Sequence, residues 1–214
     1  MTRKEIYPIL IIIAIFAFSF YLYPTAPDEL PTHWNAQGEV DDYGSRFTAL
    51  FLMPLLIVFV YLMLLFLPKM AVFKKNIDQL EPHLYGLKMV IILFFAVIWF
   101  GTIAHLIGIP IDMTYLIGIS IAGLFYYLGD FLKNVKRNYF VGIRTPWTLS
   151  SDLVWDKTHR LGSITFRANA VIIVLSLLYP LMLFPVMLIT IFANVVFLLG
   201  YSFYVFKKEK NPRH

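Results

Sequence analysis

The sequence contains no cysteine. That absence removes disulfides, thiol nucleophiles and thiolate metal sites, and it leaves the redox compartment open. Charge is also scarce: Asp, Glu, Lys and Arg make up 14% of residues, against roughly 25% in soluble domains. The metalloprotease His-Glu-x-x-His helix, the Gly-x-Ser-x-Gly elbow and a phosphate-cradling glycine loop are all missing. No heptad, solenoid period or low-complexity tract runs through the chain, and no pseudo-symmetry between three-helix halves is strong enough to use. These gaps exclude most enzyme classes that announce themselves by motif.

What is abundant is apolar surface. The chain is 59% hydrophobic with a mean hydropathy of +0.73, which makes it an integral membrane protein. A bilayer core takes about 20 apolar residues per helix, so 214 residues hold about six spans and no sizeable soluble domain. The expected fold is an all-α polytopic helix bundle in one membrane domain over residues 1–214, with an N-terminal half, 1–110, and a C-terminal half, 111–214. The first span is predicted over Ile6 to Tyr23, too long for a signal h-region and followed by the poor cleavage site Pro24-Thr25-Ala26-Pro27. The others are predicted over Phe47 to Leu67 with a kink at Pro54, Tyr85 to Ile107, Met113 to Leu132, Ser163 to Met182, and Val186 to Phe206.

The net charge of +5 could suggest a nucleic-acid partner, but its distribution reports topology. Of the 18 Lys and Arg residues, only Arg46 falls outside the N-terminus, the second and fourth loops, their flanks and the tail. Lys69, Lys74 and Lys75 mark the second loop. The positive-inside rule then puts both termini in the cytoplasm of a multi-pass cell-membrane protein. It turns Pro24 to Arg46 outward and Lys133 to Leu161 inward.

The outer loop reads Leu30-Pro31-Thr32-His33-Trp34-Asn35-Ala36-Gln37-Gly38-Glu39-Val40-Asp41. Turn formers three apart, Asn35, Gly38 and Asp41, predict a compact folded loop. Trp34 beside His33 suits a headgroup interface. The segment reads either as a cap on the bundle or as a binding surface for a peptide or small ligand, built from His33, Trp34, Asn35, Gly38 and Asp41. Imidazole and carboxylate suit a metal, which makes His33, Asp41 and His105 weak metal candidates without a spaced ligand motif.

The inward segment carries Gly142-Ile143-Arg144-Thr145-Pro146-Trp147-Thr148-Leu149. Gly142 permits a sharp bend and Pro146 disfavours helix at Thr145. Arg144 offers a planar fork for a carboxylate, a phosphate or free carbonyls, and Asp130 is one acceptor within the chain. Ser150 to Leu161 is predicted as a short interfacial helix capped by Ser150 or Ser151, with Asp152 in its first turn. Trp155, His159 and Gly162 share one face at i, i+4 and i+7, and Asp156 can pair with Arg160. The face reads either as a headgroup anchor or as a docking surface for a cytoplasmic protein.

Within the spans the polar groups noted are His105, Asp130, Asn169 and Asn194, with the two Asn residues expected to bond between helices. A proton-coupled transporter would place carboxylates near mid-membrane, whereas Asp130 lies near one end, so that class is disfavoured.

Two segments match known patterns. Leu30-Pro31-Thr32-His33-Trp34-Asn35, with Gly38 and Asp41, resembles the signature of a small membrane domain of unknown function. Asn138 with Gly142 to Leu149, then Trp155 and Thr158-His159-Arg160, resembles the signature of the SdpI family. The resemblance implies a non-enzymatic membrane protein with no cofactor. It would protect against a secreted membrane-active toxin peptide and sequester a small helix-turn-helix repressor at the membrane without touching nucleic acid itself. Toxin contact then falls to the outer loop. Repressor docking falls to Asn138, Gly142, Arg144, Thr145, Pro146, Trp147, Trp155, His159 and Arg160. The alternatives are a small-solute or lipid transporter and a metal-dependent membrane enzyme.

Overall fold

The computed structural model describes residues 5–66 and 74–211, with side chains from residue 83 onward in the second stretch. Arg3, Lys4, Leu67, Lys69, the side chains of Lys74 and Lys75, and the tail beyond Asn211 lie outside the described residues. In chain order the elements are α1 (Ile6–Leu22), β1 (Glu29–Trp34), β2 (Val40–Ser45), α2 (Arg46–Phe66), α3 (Lys74–Leu106), α4 (Met113–Asn134), α5 (Pro146–Ser150), α6 (Asp152–Ser176) and α7 (Leu183–Lys210), with a 3-10 turn at Pro180–Met182. Among the described residues, four stretches are long and apolar enough to cross a membrane: Arg46–Phe66, His83–Leu106, Met113–Asn134 and Pro180–Lys210. α1 is a shorter apolar helix of 17 residues. The protein is therefore a mostly helical membrane bundle.

The helices associate because their backbones leave specific groups to satisfy. Pro54 sits inside α2 and has no N–H, so the carbonyl of Leu50, four residues back, loses its helical donor. In a membrane interior such a group must be satisfied by a neighbour. Ser19 of α1 donates its hydroxyl to the Leu50 carbonyl at 2.8 Å, and Trp99 of α3 donates its indole N–H to the same oxygen at 3.2 Å. The proline expected to kink α2 thus fastens three helices at one atom. Around it packs a core of Ile15, Phe51, Ile57, Ile92 and Ile103. Leu30 of β1 belongs to the same core, seating the first strand on α2 and α3.

α4 and α6 form the closest pair. A Cβ on Gly129 would lie 2.8 Å from the Ser163 carbonyl, so only glycine lets these backbones approach there, as small residues do between membrane helices. α6 differs from expectation. The interfacial helix predicted to end at Leu161 and the span predicted from Ser163 are one continuous helix, Asp152–Ser176. Ser151 caps it, accepting from the Val154 N–H at 3.3 Å. Gly162 costs a helix only about 1 kcal/mol, and it packs directly against Ile143, where a Cβ would meet the Ile143 side chain at 2.6 Å. The helix stops short of the predicted Met182 because Pro180 biases Tyr179 towards extended backbone, here φ −133° and ψ 81°.

Of the two in-span asparagines, Asn169 donates to the Thr190 carbonyl of α7 at 3.4 Å. Asn194 is buried, and its side-chain oxygen has no partner among the described residues. The outer loop, expected to be compact and folded, is a two-stranded antiparallel hairpin. Strand pairing supplies the backbone bonds that isolated turns would leave to water.

Candidate functional site

α4 sets the geometry. Its N-terminal end meets the hairpin, since a Cβ on Gly38 would lie 2.4 Å from the Thr114 hydroxyl. Its C-terminal end meets the loop of residues 135–151, where Val135 is the helix cap. At 22 residues and about 1.5 Å per residue, α4 separates the two polar segments by about 33 Å, the thickness of a hydrocarbon core.

The hairpin is organised by Asn35. Its side-chain oxygen accepts the N–H groups of Gln37 at 2.9 Å and Glu39 at 3.0 Å, while its amide donates to the Glu39 carboxylate at 3.2 Å. Gly38 follows at φ +80°, in the left-handed region that favours glycine. Two register shifts, flanking His33, bring its ring 2.6 Å from the Asp41 carboxylate. Both side chains are exposed, and Trp34, half-buried, pairs across the sheet with Val40. His33, Trp34, Asn35, Gly38 and Asp41 are thus gathered on one hairpin. His105 belongs to the last turn of α3. Among the described residues no three His, Cys, Asp or Glu side chains gather where they could hold a metal.

At the other end of α4 the loop folds inward. Asn138 is buried and uses its whole amide: its oxygen accepts from the N–H groups of Phe140 and Val141 at 2.7 and 2.8 Å, and its nitrogen donates to the carbonyls of Lys136 and Val141 at 2.8 and 3.1 Å. Trp155 is completely buried and donates its indole N–H to the Val135 carbonyl at 2.8 Å, satisfying an acceptor that the end of α4 leaves free. His159 stacks on Trp155 with ring centroids 4.0 Å apart. Its Nε2 accepts the Ile143 N–H at 3.0 Å, so in the neutral ring Nδ1 carries the proton and donates to the Trp155 carbonyl at 2.9 Å. Burial pushes the His159 pKa down to about 4, against a smaller upward pull from the Trp155 carbonyl. The ring is a neutral structural linker near pH 7.

Gly142 completes this lock at φ +112°. A Cβ there would meet His159 Nε2 at 2.4 Å. Thr145 and Thr148 then cap α5 reciprocally, each hydroxyl accepting the other's N–H, at 3.0 and 2.8 Å. Thr145 also donates to the Ser202 hydroxyl of α7 at 3.2 Å.

The residues predicted as one docking set therefore divide. Asn138, Thr145, Trp155 and His159 are interior. Gly142, Arg144, Pro146 and Arg160 are exposed, and Trp147 is half-buried with its ring 5.0 Å from that of Phe203. Arg144 donates to the Tyr139 carbonyl and not to Asp130, which is taken by Arg167 of α6 at 2.6 Å. Asp156 lies 3.9 Å from Lys136, a contact the i+4 pairing with Arg160 did not anticipate.

One cluster escaped the sequence altogether. Glu5, preceding α1, forms a buried ion pair with Lys88 of α3 and accepts the Tyr61 hydroxyl of α2 at 2.9 Å. All three side chains are almost completely buried. Lys88 had been counted with the flanking cations of the second loop. A lysine four residues inside a predicted span was the available signal, because an ionisable group in a span marks a functional or structural site by default.

Comparison with known proteins finds two family matches, one containing the hairpin and the other the loop after α4. Residues 134–205 match the SdpI/YfhL protein family, and residues 10–58 match a domain of unknown function, DUF1648. The chain is 25% identical over 213 residues to Immunity protein SdpI of Bacillus subtilis (strain 168), covering 99% of this chain and 100% of that protein. No solved structure matches.

Proposed function

We propose that this chain is a multi-pass cell-membrane immunity protein that protects its host against a secreted membrane-active toxin peptide, without catalytic chemistry. The observation that carries this is the full-length similarity to Immunity protein SdpI. The two family matches also contain the two non-helical structures, the hairpin and the buried loop. In this reading α1 and α6 also cross the bilayer, giving six spans with both termini in the cytoplasm. The Lys and Arg distribution supports that orientation.

The hairpin then faces the side from which a toxin arrives, offering the exposed His33 and Asp41 pair and the half-buried Trp34. At the cytoplasmic end, Arg144, Trp147 and Arg160 form the surface for a small helix-turn-helix repressor. The buried Asn138, Thr145, Trp155 and His159, together with Gly142 at the bend, hold that surface in shape. For the toxin to alter repressor binding, it must bind two arrangements of the bundle with different affinity. Growth of a toxin-sensitive strain with and without the protein tests the immunity role; a strain that dies equally with the protein at full membrane level refutes it. Repressor recruitment is tested with Arg144→Ala and Arg160→Ala, and undiminished recruitment by both variants removes the docking surface.

The Glu5–Lys88–Tyr61 cluster favours a second reading, a small-solute transporter, because buried ionisable groups line pathways in many carriers. Uptake of labelled solutes into vesicles containing the protein distinguishes it from an immunity protein.

A further inference from the structure

α7 is longer than a bilayer core requires. Its 28 residues extend about 42 Å, against about 30 Å of hydrocarbon, so about eight residues project from one side. The projecting end carries Lys207, Lys208 and Lys210. Here α6 and α7 enclose an open groove of about 350 Å³. Lys157 and Lys208 supply its cations, Leu153 and Val205 its apolar walls, and Tyr201 and Tyr204 lie on the span side. Glu209 also lines the groove, but its carboxylate accepts the Ser151 hydroxyl at 2.9 Å. Among the described residues, neither Lys157 nor Lys208 has a carboxylate partner.

The groove continues towards the span as an apolar strip. Ile164 lies seven residues beyond Lys157 on the same face of α6 and is 62% exposed, and Phe197 of α7 is 51% exposed. Arg160, also exposed, stands between Lys157 and Ile164. From the helix end inwards, the order is unpaired ammonium groups, tyrosines, then bare aliphatic and aromatic surface. That is the order of an anionic phospholipid: charged headgroup, glycerol, acyl chain.

We propose that this groove binds an anionic phospholipid, its phosphate between Lys157 and Lys208 and its chains along Ile164 and Phe197. Glu209 weakens the groove's pull on any anion, and a lipid offsets that with the apolar strip that a small free anion cannot use. The site is independent of toxin recognition, so its success or failure leaves the immunity role untouched.

The test is native mass spectrometry of the delipidated protein titrated with dioleoyl phosphatidylglycerol, with dioleoyl phosphatidylcholine, and with phosphatidylglycerol in excess inorganic phosphate. Phosphatidylglycerol should bind in preference to phosphatidylcholine. The double variant Lys157→Gln and Lys208→Gln should bind it about thirtyfold more weakly, as loss of two interfacial cations implies. Lys133→Gln, a lysine removed elsewhere on the surface, should bind as the unaltered protein does. Equal binding of the two lipids, or undiminished binding by the double variant, overturns the site. Displacement of the lipid by inorganic phosphate overturns the assignment to a lipid.

Discussion

Acid should weaken this protein through His159. In the folded chain the imidazole accepts from the Ile143 N–H and stacks on Trp155, and burial holds its pKa near 4 against the ordinary 6.5. Protonation would turn Nε2 into a donor facing another donor. Between pH 6.5 and about 4, the unfolded chain takes up a proton that the folded chain refuses. Stability from this group is therefore fully present above about pH 6.5, falls as pH falls through that window, and changes no further below about pH 4. The gap of about 2.5 pH units, at about 1.36 kcal/mol each, gives a loss of about 3 kcal/mol. Many carboxylates titrate in the same range, so the informative quantity is the difference between the unaltered protein and His159→Gln, which has no titrating ring. Denaturant unfolding in mixed micelles at pH 7.5 and pH 4.5 should show that difference shrinking on acidification. A pH-independent difference, or an imidazole carbon resonance titrating near pH 6.5, refutes the reasoning.

Gly142→Ala should cost about 2–4 kcal/mol, from positive-φ strain together with loss of the Ile143–His159 hydrogen bond, and thermal unfolding measures it. Trp155→Phe keeps the stack but leaves the buried Val135 carbonyl without its donor, a loss of about 1–3 kcal/mol visible in the same assay. Lys88→Met strands Glu5 and should destabilise by about 3–5 kcal/mol, while adding Glu5→Gln should recover most of that loss. Single and double variants that lose equal stability would refute the pairing.

Span positions were legible because punctuation marks them. The predicted start of the fourth span at Met113 coincides with that of α4, and Asp112 caps it by accepting from the Thr114 N–H at 2.8 Å. The predicted second and third spans likewise agree with α2 and α3 to about one residue at their start and end, respectively. Local chemistry also revealed the bend at Gly142 and the non-helical Thr145, though not the short helix α5 that starts after it.

What stayed hidden depends on partners distant in sequence. The i, i+4, i+7 spacing of Trp155, His159 and Gly162 correctly gave one face, but whether a face turns to solvent or to Val135 and Ile143 is decided by packing. A single helix through Gly162 was obscured because glycine is also a helix breaker, and only the Ile143 side chain resting on it shows why it is there. Lys88 stands out inside an apolar span, but its partner Glu5 is 83 residues away and unmarked in the sequence. Hairpin pairing is local, but two register shifts disguise its alternation.

The immunity role is tested most directly by the membrane potential of toxin-sensitive bacteria challenged with a secreted membrane-active toxin peptide, with and without this protein. His33→Ala and Arg144→Ala variants at matched membrane levels complete the comparison. The proposal predicts that the unaltered protein and Arg144→Ala preserve the potential while His33→Ala does not, placing recognition on the hairpin. Depolarisation as fast with the unaltered protein as without it would contradict the immunity role.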